Sequence, residues 1–124
     1  MIGLTFDTGA LIALERRRPR MARAFRTALE MGVVVTVPAA VVVEWWRGRT
    51  DARETILAAV RVEPLDESLA RLAGVALASL PRTTAIDAVV MASAARRGDI
   101  VYTSDVGDLT RLRAVFPGVR VLGT

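Results

Sequence analysis

Short apolar runs alternate with amphipathic stretches from one end of the chain to the other. Ile2-Gly3-Leu4-Thr5-Phe6 is an apolar run that stops at Asp7, and it reads as a buried strand. Thr8 to Arg17 then places Leu11, Ile12 and Leu14 at helical spacing. A second helix begins at Pro19, whose missing N–H is no loss in a first turn, and ends at Gly32. Val33-Val34-Val35-Thr36-Val37 is β-branched throughout and of strand length; Pro38 follows, and a helix is expected through Trp46. Asp51 to Val60 reads as helix, Arg61 to Leu65 as a short strand, and Asp66 to Leu80 as a long amphipathic helix. Thr84 to Arg97 is a helix stopped by Gly98, Ile100 to Thr103 a strand, Asp105 to Phe116 a helix, and Val119 to Leu122 a closing strand.

Strands that alternate with helices predict an α/β fold, a mainly parallel sheet of about five strands flanked by helices. No Ser- or Gly-rich linker and no internal repeat interrupts the pattern, so a single domain is expected over residues 1–124. In such sheets ligands sit beyond the carboxyl ends of the strands, where the strand order reverses. Asp7 and Asp105 follow predicted strands and therefore belong to that rim.

Composition narrows the chemistry. A chain that is 52% hydrophobic can bury a core, which excludes disordered and low-complexity classes. Seventeen basic against thirteen acidic residues leaves +4, and every basic residue is Arg; Lys, His, Cys, Asn and Gln do not occur. Cys nucleophiles, Cys or His metal sites, Ser–His triads and Lys Schiff bases each lack a required part. What remains is carboxylates, hydroxyls and Arg. The absence of Cys fits a reducing compartment. No secretory signal is visible, and the most apolar window, Val33 to Trp46, is broken by Thr36, Pro38 and Glu44 and is too short to span a bilayer. A cytoplasmic protein with no membrane partner is expected.

Four carboxylates stand out: Asp7, Glu44, Asp87 and Asp105. Three of them also suit helix capping. Asp7 precedes Thr8-Gly9-Ala10, Asp87 stands three residues after Thr84, and Asp108 three after Asp105. Glu44 lies between Val41-Val42-Val43 and Trp45-Trp46, where a carboxylate is costly unless it is paired with an Arg such as Arg47, holds a metal, or reaches solvent. Taken together, acidic groups converging on one rim repel one another, and a divalent cation resolves the conflict. Oxygen-only ligation selects Mg²⁺ or Mn²⁺ over zinc. Such an ion acidifies water and neutralises a phosphoryl oxygen, so phosphodiester hydrolysis needs neither His nor Lys.

Four segments carry a resemblance. Leu4-Thr5-Phe6-Asp7-Thr8-Gly9-Ala10-Leu11-Ile12-Ala13-Leu14, Pro38-Ala39-Ala40-Val41-Val42-Val43-Glu44, Ile86-Asp87-Ala88 and Tyr102-Thr103-Ser104-Asp105-Val106-Gly107-Asp108-Leu109 occur in the order found in PIN-domain nucleases. The chain resembles, nearly end to end, the small VapC-type toxins of toxin–antitoxin pairs. The resemblance implies a Mg²⁺-dependent endoribonuclease, restrained by a cognate antitoxin protein and commonly homodimeric. It implies Asp7, Asp87 and Asp105 as metal ligands and Glu44 as the helix glutamate that holds a water or a second ion. Thr103 supports the cluster by hydrogen bonding, and Asp108 is either an acidic neighbour or a cap. Hydrolysis by metal-activated water is expected to leave 5′-phosphate and 3′-hydroxyl ends; without His, a route through a cyclic phosphate is disfavoured.

Arg16, Arg17, Arg18, Arg20, Arg23 and Arg26 form the densest basic stretch, which reads as an RNA-contacting surface or as a solvated helix face. Within it Arg16, Arg17, Arg18 and Arg20 are the RNA-binding candidates, with Arg47 and Arg49 just past Glu44. Arg96 and Arg97 read as charges complementing a helix C-terminus. Adjacent helical Trp45 and Trp46 project about a hundred degrees apart, so one is expected in the core and the other at an interface. Leu69, Leu72, Ala73, Ala76, Leu77 and Leu80 form a stripe that suits a core or a dimer contact. A response-regulator receiver also carries acids at strand ends, but it needs a Lys that this chain lacks. A non-catalytic RNA-binding or scaffold domain, and a metal-dependent phosphatase of small molecules, remain as alternative classes.

Overall fold

The computed structural model describes all 124 residues. Five strands, β1 (Leu4–Phe6), β2 (Val35–Pro38), β3 (Arg61–Glu63), β4 (Ile100–Thr103) and β5 (Arg120–Gly123), form one sheet of order β3-β2-β1-β4-β5. Every pairing is parallel. Seven helices flank it: α1 (Thr8–Glu15), α2 (Pro19–Glu30), α3 (Ala39–Trp45), α4 (Asp51–Ala59), α5 (Glu67–Ser79), α6 (Ala85–Arg97) and α7 (Val106–Arg111), the last continued by a 3₁₀ turn over Leu112–Ala114. The chain starts in the middle of the sheet, builds outward through β2 and β3, then crosses to β4 and β5. The strand order therefore reverses at β1, and the crevice of the fold lies beyond the carboxyl ends of β1 and β4.

Strand alternation assigns the two faces. Phe6 is in register with Tyr102, and its ring packs at 6.0 Å against Phe25 of α2 and edge-on at 5.8 Å against Tyr102. Thr5, in register with Thr36 and Val101, faces α6 instead. That helix is buried along Ala88 to Ala94, packs on β1, β2 and β4, and is covered on its far side by α5 through Leu69, Ala73 and Ala76. Gly98 ends α6 in the left-handed region at φ 75°, a C-terminal cap for which only Gly carries no steric cost.

Three details depart from the sequence pattern. β2 begins at Val35, because the Val33 N–H bonds back to Ala28 O at 2.8 Å to close α2, and Val34 O already accepts from Leu4 N. The apolar stripe of α5 divides: Leu69, Ala73 and Ala76 are buried, while Leu72 and Leu77 are exposed beside Val75. Arg96 and Arg97 do more than complement a helix end. Arg97 donates to Glu63, Asp99, Thr5 and Ser93, and Arg96 pairs with Glu63 and Asp66 at 3.4 and 3.3 Å. Thr5 and Ser93 add hydrogen bonds to Asp99 and Glu63 at 2.8 and 2.9 Å, so each buried carboxylate of this network is paired. No helix is long and apolar enough to cross a membrane.

Candidate metal centre

Asp7 leaves β1 at the crevice and caps α1, its Oδ1 accepting the Ala10 N–H at 2.8 Å. Its own N–H donates to Tyr102 O at 3.3 Å, which extends the β1–β4 pairing and sets Asp7 beside Thr103. The Thr103 hydroxyl bonds to the Asp7 carboxylate, and Thr103 Oγ1 accepts the Asp105 N–H at 2.9 Å. One buried threonine thus ties two acidic residues together. Burial pushes the Asp7 carboxyl up to about 6; its hydrogen bonds to Thr103 and Ala10 oppose the rise, and the charges of Asp87 and Asp105 add to it.

Asp87 stands in the first turn of α6, where Thr84 Oγ1 accepts its N–H at 3.1 Å. The carboxyl is half-buried, and it is raised first by that burial and then by the charges of Asp108, Asp105 and Glu44, against a hydrogen bond from Thr84. Asp105 caps α7, its Oδ1 accepting the Asp108 N–H at 3.3 Å, and both residues are exposed. A hydrogen bond to Asp105 and its charge raise Asp108, while Arg111 pulls the other way. Capping and clustering therefore coexist at Asp7 and Asp105, whose carboxylates cap α1 and α7, while at α6 the cap is Thr84 and the Asp87 carboxylate feels its acidic neighbours.

Glu44 escapes its apolar neighbourhood by facing solvent at the end of α3, with Val43 exposed beside it. Arg47 is not the partner of its carboxylate; Arg47 Nε donates to the Glu44 backbone carbonyl at 3.3 Å. The partner is Thr8, whose Oγ1 donates to Glu44 Oε1 at 2.6 Å. Sequence reasoning missed Thr8, and only its place directly after Asp7 hinted at it. Trp45 is the core tryptophan, its Nε1 donating to Glu15 at 2.9 Å, and Trp46 is half-buried and packs edge-on against it.

No three acidic side chains stand close enough together to enclose an ion as they are. The donor set nevertheless fits a hard divalent cation. All its donors are oxygens, and Asp7 and Asp87 are both raised by burial and by each other's acidic surroundings. That repulsion is what a bound Mg²⁺ or Mn²⁺ relieves.

The arginines sort by place. Arg16, Arg18 and Arg20 line a cleft with Gly9 and Ser104. Arg16 also borders a smaller depression containing Glu44 and Arg47. Arg17 lies elsewhere, beside Glu15 and Asp51, and Arg49 is engaged with Asp51 and Glu54 at 3.3 and 3.7 Å. Gly9 packs directly on Ser104: a Cβ there would stand 1.8 Å from the Ser104 Oγ, so only Gly permits this contact.

The fold is shared with VapBC2 from Rickettsia felis bound to a DNA fragment from its promoter, at TM-score 0.78 and 9% identity over 100% of this chain and 99% of that one. DNA-bound VapBC from Salmonella typhimurium matches at TM-score 0.71 and 22% identity, over 99% and 98% of the two chains. A toxin–antitoxin complex from Klebsiella pneumoniae matches at TM-score 0.71 and 21% identity, over 97% and 96%. No curated protein matches by sequence. The PIN domain family model matches residues 4–114, and the chain belongs to the PIN domain family.

Proposed function

We propose that this chain is a VapC-type toxin, a divalent-metal-dependent endoribonuclease restrained by a cognate antitoxin. The observation that supports the reading is Asp7 itself, buried at the strand-order reversal, pushed up to about 6 by that burial and further by the charges of Asp87 and Asp105. Asp7, Asp87 and Asp105 are the residues that would hold the metal. When bound, Mg²⁺ or Mn²⁺ supplies acidification of water and neutralisation of charge on the phosphoryl oxygens. The protein supplies position. Thr103 keeps Asp7 and Asp105 side by side, and Thr8 holds the Glu44 carboxylate, an acceptor for the proton of an attacking water. Arg16 and Arg47 border Glu44 and offer donors to the substrate's phosphates. With no His in the chain, direct hydrolysis to 5′-phosphate and 3′-hydroxyl ends is the route that fits.

The antitoxin reading draws on the structural neighbours, whose names describe toxin–antitoxin complexes. Exposed Leu72, Val75 and Leu77 along α5 support a homodimer, and the lack of Cys and of a membrane-crossing helix supports a cytoplasmic site of action. The test is incubation of purified, antitoxin-free protein with total RNA in Mg²⁺, Mn²⁺ or EDTA, with Asp7→Asn alongside. Discrete fragments bearing 5′-phosphates, dependent on metal and absent in the variant, are expected. Cleavage that persists in EDTA and in Asp7→Asn would overturn the reading.

A further inference from the structure

Next to the carboxylates, the run of arginines is split by a strained turn. Helix α1 ends at Arg16, and Arg17 takes up the left-handed region at φ 56°. The N–H groups of Arg17 and Arg18 bond to the carbonyls of Leu14 and Ala13 at 3.0 and 2.9 Å. This is the helix closure in which Gly ordinarily fills the left-handed position. An Arg held there parts its neighbours: Arg16, Arg18 and Arg20 share one cleft of about 540 Å³, and Arg17 lies in another depression beside Glu15 and Asp51.

The three arginines of the cleft make no ion pair, and neither does Arg17, so what sets the three apart is the cleft they share. All three are exposed, so their guanidinium donors are free. The cleft also adjoins the acidic cluster through its walls. Gly9 is two residues from Asp7, Ser104 precedes Asp105, and the two walls touch. A polyanion approaching uncompensated carboxylates is repelled, and unpaired positive charge beside them offsets that repulsion.

We infer that this cleft binds a backbone phosphate of the RNA next to the scissile bond, through Arg16, Arg18 and Arg20, and that Arg17 takes no part. The inference rests on the nuclease reading for the identity of the polyanion. Guanidinium groups present paired donors that match phosphate oxygens, and binding of this kind is independent of base sequence.

The test is binding of a short, fluorescein-labelled single-stranded RNA, followed by anisotropy across a salt series in EDTA. Removing one arginine–phosphate interaction should flatten the slope of log K against log salt by about 0.7. Arg16→Gln, Arg18→Gln and Arg20→Gln are expected to flatten it and to weaken binding several-fold, while Arg17→Gly, which suits its backbone, leaves both within about two-fold. Circular dichroism checks that each variant is folded. Equal losses in Arg17→Gly and Arg18→Gln would mean a diffuse field and overturn the cleft, as would unchanged slopes. An Asp- and Glu-rich peptide whose binding alone depended on the three arginines would also overturn it. Because EDTA separates binding from cleavage, flattened slopes in a protein that never cuts RNA support the cleft while ending the nuclease reading. Cleavage with unaltered slopes does the reverse.

Discussion

The Thr8 hydroxyl lies 2.6 Å from Glu44 Oε1 and joins two residues 36 positions apart in the chain. Thr8 opens α1 directly after Asp7, so the bond ties the glutamate of α3 to the helix that Asp7 caps. Without it, an exposed glutamate samples several rotamers. Thr8→Val is expected to lower the rate of RNA cleavage by about 10-fold, less than the roughly 10²–10⁴-fold that a whole acid–base group contributes. Thr8→Ser should restore most of it. Stability should change by no more than about 0.5–1.5 kcal/mol, the net worth of one hydrogen bond.

Asp7 trades stability for its place. Its folded pKa of about 6 lies above the ordinary 3.8, so folding favours the protonated carboxyl. The stabilising difference is fully present below 3.8 and is lost as pH rises through 6. Above 6 the buried charge costs about 3 kcal/mol. Asn keeps the helix cap without the charge. In EDTA, Asp7→Asn should therefore be more stable than the parent to urea at pH 7.5, with the gain vanishing near pH 3.5. An equal gain at both pH values would count against burial as its cause.

Arg97 neutralises Glu63 and Asp99, which are 8% and 5% exposed. Removing Arg97 leaves Asp99 buried without a cation and Glu63 with Arg96 alone, a loss of about 3–5 kcal/mol. Arg97→Met should unfold at correspondingly lower urea concentration, and adding Glu63→Gln and Asp99→Asn should recover part of the loss. Independent, additive losses would show that the network does not act as a unit.

Arg17→Gly should stabilise the protein. Relief of a left-handed Arg is worth about 1 kcal/mol, of which the greater freedom of Gly in the unfolded chain returns a part. Thermal melts of the two proteins check it; a lower melting temperature for the Gly variant would mean that the Arg17 side chain packs well enough to outweigh the strain.

The packing of Gly9 on Ser104 gives a paired prediction. Gly9→Ala should displace the Asp105 loop and abolish cleavage, because the new methyl overlaps Ser104. Ser104→Gly opens that space, so the double variant should regain activity that Gly9→Ala alone lacks.

The elements were legible because their signals are local. Pro19 starts α2, Gly98 stops α6, and the β-branched run before Pro38 has no helical reading. Asp7, Asp87 and Asp105 stood out for a related reason, each sitting at a cap beside an apolar run. Partnerships across the sheet left no such mark. Nothing near Glu44 names Thr8, and nothing near Arg97 names Glu63, because parallel strands bring together residues whose spacing depends on the whole crossover. Glu44 is the reverse case: of the outcomes its apolar neighbours left open, the structure takes the one in which its side of the helix faces water.

The first strand made sits at the centre of the sheet, and the strand that completes its carboxyl end is among the last. β1 finds β4 only after Ile100–Thr103 exists, and Asp105 comes later still. A chain emerging from the ribosome therefore displays Asp7, then Glu44, then Asp87, without the threonine and aspartate that draw them to one crevice. The crevice therefore exists only in the folded domain, because its two sides come from the first strand and the fourth.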